Sequence, residues 1–312
     1  MMKHPGKLLG VVALCLATVL TGTTGAAADP GPTPPPRTNS ANETIYMVKG
    51  YDPPDLVGDD GPGVSCTSRW NTAERAMKRW GWKGRFVQVK FYNRDTRCDL
   101  SLVRRAGNGT YDGSRDLPLM ELGRRLAWKI HNRDSRYGRS VDLVGHSMGG
   151  LIIRAALTGT ERHMPGWPPY IHVEDAVTLG TPHHGAWPSD LLCSAIPVNR
   201  QCEDMRSESV FMRWLHATDV PGSAQGTDWT LIGSEADSDV GIGSTTPVVD
   251  EAQHLVRYAS STGIGHSDLR KKANGRWPMR YSQDSGQTWV SLRYGAAPLR
   301  ATFNSLYWES RW

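Results

Sequence analysis

The segment Val141-Asp142-Leu143-Val144-Gly145-His146-Ser147-Met148-Gly149-Gly150-Leu151-Ile152-Ile153-Arg154 constrains this chain more than any other stretch. A short run that reads as a buried strand, Val141 to Val144, passes without a loop into an apolar helical run, Gly149 to Leu157. A strand that turns directly into a helix forces the residue at the turn into a strained backbone conformation. The positions two before and two after must then be too small to clash. Gly145 and Gly149 fill those positions around Ser147. Five residues of the form Gly-x-Ser-x-Gly are weak on their own, but an apolar strand before and an apolar helix after are the setting the pattern requires. A serine held there is exposed at the tip of a strand, with the first amides of a helix beside it to meet a developing negative charge.

The rest of the chain supplies partners for this unit. Thr44 to Val48 and Phe86 to Val89 read as strands, with a helix from about residue 69 to residue 80 between them. Leu119, Leu122, Leu126 and Ile130 recur at helical spacing with Arg124, Arg125 and Lys129 among them, the pattern of an amphipathic helix. Val173 to Leu179, Trp229 to Ile232 and Ala252 to Val256 read as further strands. Alternating strands and helices predict an α/β fold with a mostly parallel sheet, helices on both faces and a ligand site at the carboxyl ends of the strands. The domain is expected over residues 43–276. The long stretch 186–228 reads as a cap insertion, and residues 277–312, rich in Trp, Tyr, Gly and Ser, read as a small β-rich C-terminal appendage.

The first residues carry a different message. Lys3 and Lys7 precede the apolar run Leu8 to Leu20, and Ala26-Ala27-Ala28 follows it. This predicts a signal peptide over residues 1–28 and a protein secreted to the extracellular space, since the run is too short to span a bilayer and leaves no stable membrane anchor. Residues 29–42, with Pro34-Pro35-Pro36 at the centre, read as a linker. Loss of two lysines with the signal lowers the formal charge from +5 to about +3, a mild balance. With no basic run or nucleic-acid motif, no nucleic-acid partner is expected. Four cysteines then remain, and in an oxidising compartment Cys66–Cys98 and Cys193–Cys202 are the favoured bridges among three pairings.

Gly145-His146-Ser147-Met148-Gly149-Gly150 resembles the nucleophile elbow of the lipases and esterases of the α/β-hydrolase superfamily, and Leu179-Gly180-Thr181-Pro182-His183-His184-Gly185 is similar to their Thr-Pro-His-x-Gly segment. The resemblance runs in order over about residues 44 to 270 and points to a secreted bacterial triacylglycerol lipase or esterase. It implies an acyl-enzyme on Ser147, with the acid and then the histidine following along the chain. Gly233-Ser234-Glu235-Ala236-Asp237-Ser238-Asp239-Val240 resembles the family's acid loop, making Asp237 the favoured acid and Asp239 the alternative. Only His254 and His266 lie beyond it. Thr262-Gly263-Ile264-Gly265-His266 resembles the glycine-bracketed loop that carries the base, whereas His254 falls in a strand, so His266 is favoured and His254 kept as the alternative. The oxyanion donors would be the N–H groups of Met148 and Tyr51. Lys49 stands where the family usually has a histidine, a departure at the loop that carries Tyr51.

This mechanism needs no cofactor, and no metal is expected: adjacent His183 and His184 point apart, with no Cys or acid at ligand spacing. Ser282-Gln283-Asp284-Ser285-Gly286-Gln287-Thr288-Trp289 resembles the Asp-box of sialidases, but a propeller needs repetition and there is one copy, so it reads as a turn. The sequence thus predicts a monomeric serine ester hydrolase acting on an ester or lipid substrate, at a lipid–water interface where the substrate is lipid. Two rivals stay open: an amidase or other acyl-transfer hydrolase with the same triad, and a non-catalytic hydrolase-fold protein that binds glycan or cell wall through its Trp-rich C-terminal part.

Overall fold

The computed structural model describes residues 33–52, 63–105, 107, 109–186, 199–307 and 312. The strands, β1 Thr44–Val48, β2 Phe86–Lys90, β3 Leu100–Ser101, β4 Val141–His146, β5 Val173–Leu179, β6 Asp228–Ser234, β7 His254–Tyr258, β8 Arg276–Ser282 and β9 Val290–Ala296, form one nine-stranded sheet in the order β3-β2-β1-β4-β5-β6-β7-β8-β9. From β3 to β7 every pairing is parallel; β8 and β9 are antiparallel. β4, β5 and β6 are buried along their whole length, as strands covered on both faces must be. Chain order runs one way from β1 to β3 and the other way from β4 onward. The crevice between the carboxyl ends of β1 and β4 is therefore the topological switch point, where ligands bind in such sheets.

Helices cover the two faces. α1 (Cys66–Arg79) buries Trp70, Ala73 and Met77 in the same core cluster as Ile45, Met47 and Phe303. The other face takes α2 (Leu119–Arg133) and α3 (Met148–Glu161), with Leu122, Leu126 and Ile130 meeting Ile152 and Ala155. The two helices touch closely at Gly123, where a Cβ would sit 2.5 Å from that of Ala155. The described part of the stretch expected to form a cap holds two short helices, α4 (Arg200–Asp204) and α5 (Val210–Leu215), and Phe211, Met212 and Leu215 are buried in the α2/α3 core. α6 (Ile242–Thr245) follows β6. Among the described residues no helix is long and apolar enough to cross a membrane.

The C-terminal stretch differs from the short strands and turns expected of it in two respects. β8 and β9 extend the central sheet at its β7 edge, and α7 (Pro298–Tyr307) packs Leu299, Phe303 and Leu306 into the core shared with α1. The Asp-box-like segment is the turn of the β8–β9 hairpin: the Asp284 carboxylate accepts from the Thr288 N–H at 2.8 Å and from its hydroxyl at 2.6 Å.

Cys66 and Cys98 form a disulfide that ties the start of α1 to the approach to β3. Cys202 is disulfide-bonded, and Cys193, its expected partner, lies outside the described residues, as do the expected signal peptide and the first four residues of the linker, 29–32. Cross-links of this span, 32 residues apart, restrict the unfolded chain by about 4 kcal/mol. The double variant Cys66→Ser/Cys98→Ser is expected to lose about that much unfolding free energy in urea titration, with the far-ultraviolet spectrum unchanged.

Candidate active site

At the end of β4 the backbone of Ser147 has φ 55° and ψ −134°, a conformation that non-glycine residues rarely hold. Hydrogen bonds on both sides keep it there. The Ser147 N–H donates to the Leu179 carbonyl at 2.9 Å, and its own carbonyl accepts from the Thr181 hydroxyl at 2.8 Å and from the Gly150 N–H at 3.0 Å. The turn leaves no room beside it: a Cβ on Gly149 would lie 2.2 Å from the Val48 carbonyl oxygen, and one on Gly145 2.6 Å from the Gly150 nitrogen. Ser147 precedes the first residue of α3, Met148, so the first amides of that helix face its side.

Two further loops reach the same end of the sheet. After β6, the Asp237 carboxylate accepts at Oδ1 from the N–H groups of Asp239 (2.9 Å) and Val240 (3.1 Å), which leaves Oδ2 facing His266 Nδ1 at 2.8 Å. The Asp237 side chain is fully buried and that of His266 nearly so. Nδ1–H donating to the carboxylate leaves the Nε2 lone pair of His266 available as a base. The pair sits against β5: a Cβ on Gly180 would lie 3.1 Å from His266 Nδ1 and 3.2 Å from Asp237 Oδ2. Leu179 thus touches the serine and Gly180 the histidine and the aspartate, which gathers all three around one peptide unit.

The alternatives fall elsewhere. His254 is the first residue of β7, at the opposite end of the strand from His266, and its Nε2 pairs with Asp228 Oδ2 at 3.0 Å at the amino ends of β6 and β7. His254, kept as the alternative to the favoured His266, thus lies at the amino end of a parallel strand, away from Ser147, Asp237 and His266. Asp239 is exposed; its amide braces Asp237 while the Asp237 carboxylate holds the histidine.

Residues that sequence reasoning passed over complete the surroundings. His146 donates from Nε2 to the His266 carbonyl at 3.0 Å, with the two rings 4.7 Å apart. Burial, followed by the nearby His266, drives its pKa well below the usual imidazole range, so it stays neutral beside His266. Lys49, the departure from the family pattern, is fully buried. Its ammonium contacts the Asp52 carboxylate, lies 3.2 Å from Asp95 Oδ1, and sits 4.7 Å and 4.2 Å from the ring centres of Phe91 and Tyr92. Arg69 reaches Asp52 at 2.6 Å and Arg115 donates to the Asp52 carbonyl at 2.6 Å. An ion-pair network therefore braces the β1 loop in place of the histidine. Next to it, a Cβ on Gly50 would lie 2.7 Å from that of Ser147, so the backbone leading to Tyr51 passes directly beside the serine. The Tyr51 hydroxyl accepts from Asn199 Nδ2 at 2.8 Å, linking this loop to the start of α4.

A family profile described as the PGAP1-like alpha/beta domain matches residues 119–193, about a quarter of the chain, spanning α2 to β5 and the elbow between β4 and α3. With that match, the switch-point topology and the strained serine, the fold is decided. The chain has the α/β-hydrolase fold. No curated protein matches it by sequence. Among solved structures it is similar to a Bacillus licheniformis lipase in its propeptide form (22% identity over 70% of this chain and 46% of that one, TM-score 0.43). The mature form of that lipase gives 23% identity over 69% and 74%, TM-score 0.39. Aspergillus fumigatus lipase B gives 12% identity over 74% and 49%, TM-score 0.45. The chain spans about half the length of the first and third of these chains.

Two outcomes are expected of the site's surroundings. Lys49→Met leaves Asp95, whose side chain is fully buried, without its cation, and is expected to cost about 3 kcal/mol or more in urea unfolding. His146 has its folded pKa below its unfolded value, so the unfolded chain binds the extra proton on acidification. Its contribution is full above the ordinary imidazole range and is lost as pH falls below it. His146→Gln is expected to flatten the fall in urea midpoint between about pH 7 and pH 5, where a histidine of ordinary pKa titrates; an unchanged slope would contradict this.

Proposed function

We propose that this hydrolase is a serine carboxylic-ester hydrolase of the lipase or esterase kind, with Ser147 as nucleophile, His266 as general base and acid, and Asp237 as the group that orients and charge-balances His266. The observation that carries the proposal is the 2.8 Å bond from His266 Nδ1 to an aspartate whose other oxygen is already held by two backbone amides. A carboxylate so fixed has no freedom to turn away, and it locks the imidazole in the tautomer with its lone pair on Nε2.

The steps follow. The Ser147 hydroxyl adds to the ester carbonyl as His266 Nε2 takes its proton. The oxyanion that forms is met by the N–H groups of Met148, at the start of α3, and Tyr51, on the braced β1 loop. Collapse breaks the bond to the alcohol oxygen, which leaves with the proton from His266, and the acyl group stays on Ser147. Water then adds with His266 as base, and the acid is released. Asp237 stabilises the imidazolium in both halves, and neutral His146 adds no opposing charge. No cofactor enters these steps. We further propose that the protein is exported: the charged, apolar and small-residue order over residues 1–28 supports it, and so does the Cys66–Cys98 disulfide, which persists in oxidising compartments.

The test is a panel of p-nitrophenyl esters from short to long acyl chains, run beside a matched anilide. Ester turnover is expected, falling by about three orders of magnitude or more in Asp237→Asn and in His266→Ala, and remaining near native in His254→Gln. Turnover of the anilide alone would favour an amidase. Full activity in His266→Ala would sink the assignment of the base.

A further inference from the structure

The histidine pair that the sequence reading set aside divides its roles. His183 turns into the core, where Nε2 lies 2.9 Å from the Thr178 hydroxyl. His184 turns the other way, and its Nε2 lies 3.0 Å from Asp250 Oδ1. Asp250 belongs to the short turn Val248–Asp250 before β7, 66 residues further on, so no local spacing could reveal it. A third residue joins them: His216, at the C-terminus of α5, stacks on His184 with ring centres 4.1 Å apart and planes 15° apart. One ligand atom from each of the three lies within 4.8 Å of the others.

The surroundings prepare each side chain for coordination. The Nε2–H of His216 donates to the His183 carbonyl at 2.6 Å, which leaves the lone pair on Nδ1, the arrangement in which an outer carbonyl orients a ligating imidazole. Asp250 is buried, and its second oxygen is taken by Arg154 Nη1 at 2.6 Å, leaving Oδ1 for a single bond. The His184 N–H donates to the Ser244 hydroxyl at 3.0 Å, and that hydroxyl donates to the Gly185 carbonyl at 2.6 Å, which fixes the backbone of the loop. Arg154 adds positive charge nearby, which weakens cation binding but also commits Asp250 to a one-oxygen mode.

We propose that His184, His216 and Asp250 form a zinc site, separate from Ser147, His266 and Asp237, that fastens α5 to the loop after β5 and to the turn before β7. Two imidazoles and one carboxylate suit tetrahedral zinc, with water as the fourth ligand; calcium would need six or more oxygens. The ion takes the place of the direct His184–Asp250 bond, each ligand atom giving its lone pair to the metal. The ion would add a polar anchor at the end of α5, beside the apolar contacts of Phe211, Met212 and Leu215.

The test uses full-length protein without a histidine tag, stripped with chelator and titrated with Zn2+. A rival cluster must be controlled for, because ligand atoms of Asp237, Asp239 and His266 also lie within 4.8 Å of one another. One Zn2+ per chain is expected in native protein and in His266→Ala, with affinity falling by about tenfold or more in His184→Ala and in His216→Ala. Bound Co2+ in the His266→Ala protein is expected to give the strong visible bands of a tetrahedral site, a readout that needs no ligand variant to fold. Absence of Zn2+ binding by native protein, loss of it in His266→Ala, unchanged affinity in both ligand variants, or a Co2+ spectrum without tetrahedral bands would each overturn the site.

Discussion

Everything at the candidate active site depends on one strained residue. The backbone at Ser147, with φ 55°, is costly for a side chain larger than glycine, by about 1–3 kcal/mol, and persists only because its neighbours over-determine it. β4 pulls from one side, α3 from the other, and Leu179, at the end of the next strand, and Thr181, in the loop just after it, hold both its amide and its carbonyl. The strain has a use. It lifts the hydroxyl clear of the sheet and sets it beside the first turn of α3, where helix amides meet a developing negative charge without having to move.

Once that serine is fixed, the parallel sheet decides what can reach it. β1, β4, β5, β6 and β7 point the same way, so the loops after all five converge at one end. Each contributes something different: Gly50 and Tyr51 after β1, Ser147 after β4, Gly180 after β5, Asp237 after β6, His266 after β7. The aspartate is locked by two amides of its own loop, and the histidine by the aspartate and by His146 on its carbonyl. The β1 loop is held by charge: Lys49, Asp52, Asp95 and Arg69 brace it through ion pairs.

The features legible in the sequence are the local ones. Strands of buried parallel type announce themselves as apolar runs, α2 as a helical stripe, and Ser147 through its glycines, because each signal lies within about a dozen residues. Asp237 and His266, drawn from chain order and loop resemblance, meet at 2.8 Å in the structure. His266 is favoured over His254 already by its loop, and the sheet direction adds which strand end each occupies. Contacts between distant segments were not legible: Lys49 finds Asp95, and His184 finds Asp250, through tertiary packing that leaves no periodic trace. The C-terminal stretch misled through composition. Its aromatic richness suggested strands and turns alone, whereas Pro298, well suited to a first helical position, starts a helix that completes the α1 face of the core.

The central claim is that Ser147 is an activated nucleophile, and covalent capture tests it most directly. Native protein treated with a fluorophosphonate probe, digested and mapped by mass spectrometry is expected to carry a single adduct on the peptide containing Ser147. The adduct should be absent from Ser147→Ala and formed far more slowly in Asp237→Asn. A correctly folded native protein that takes no label, or one labelled at another serine, would contradict the account.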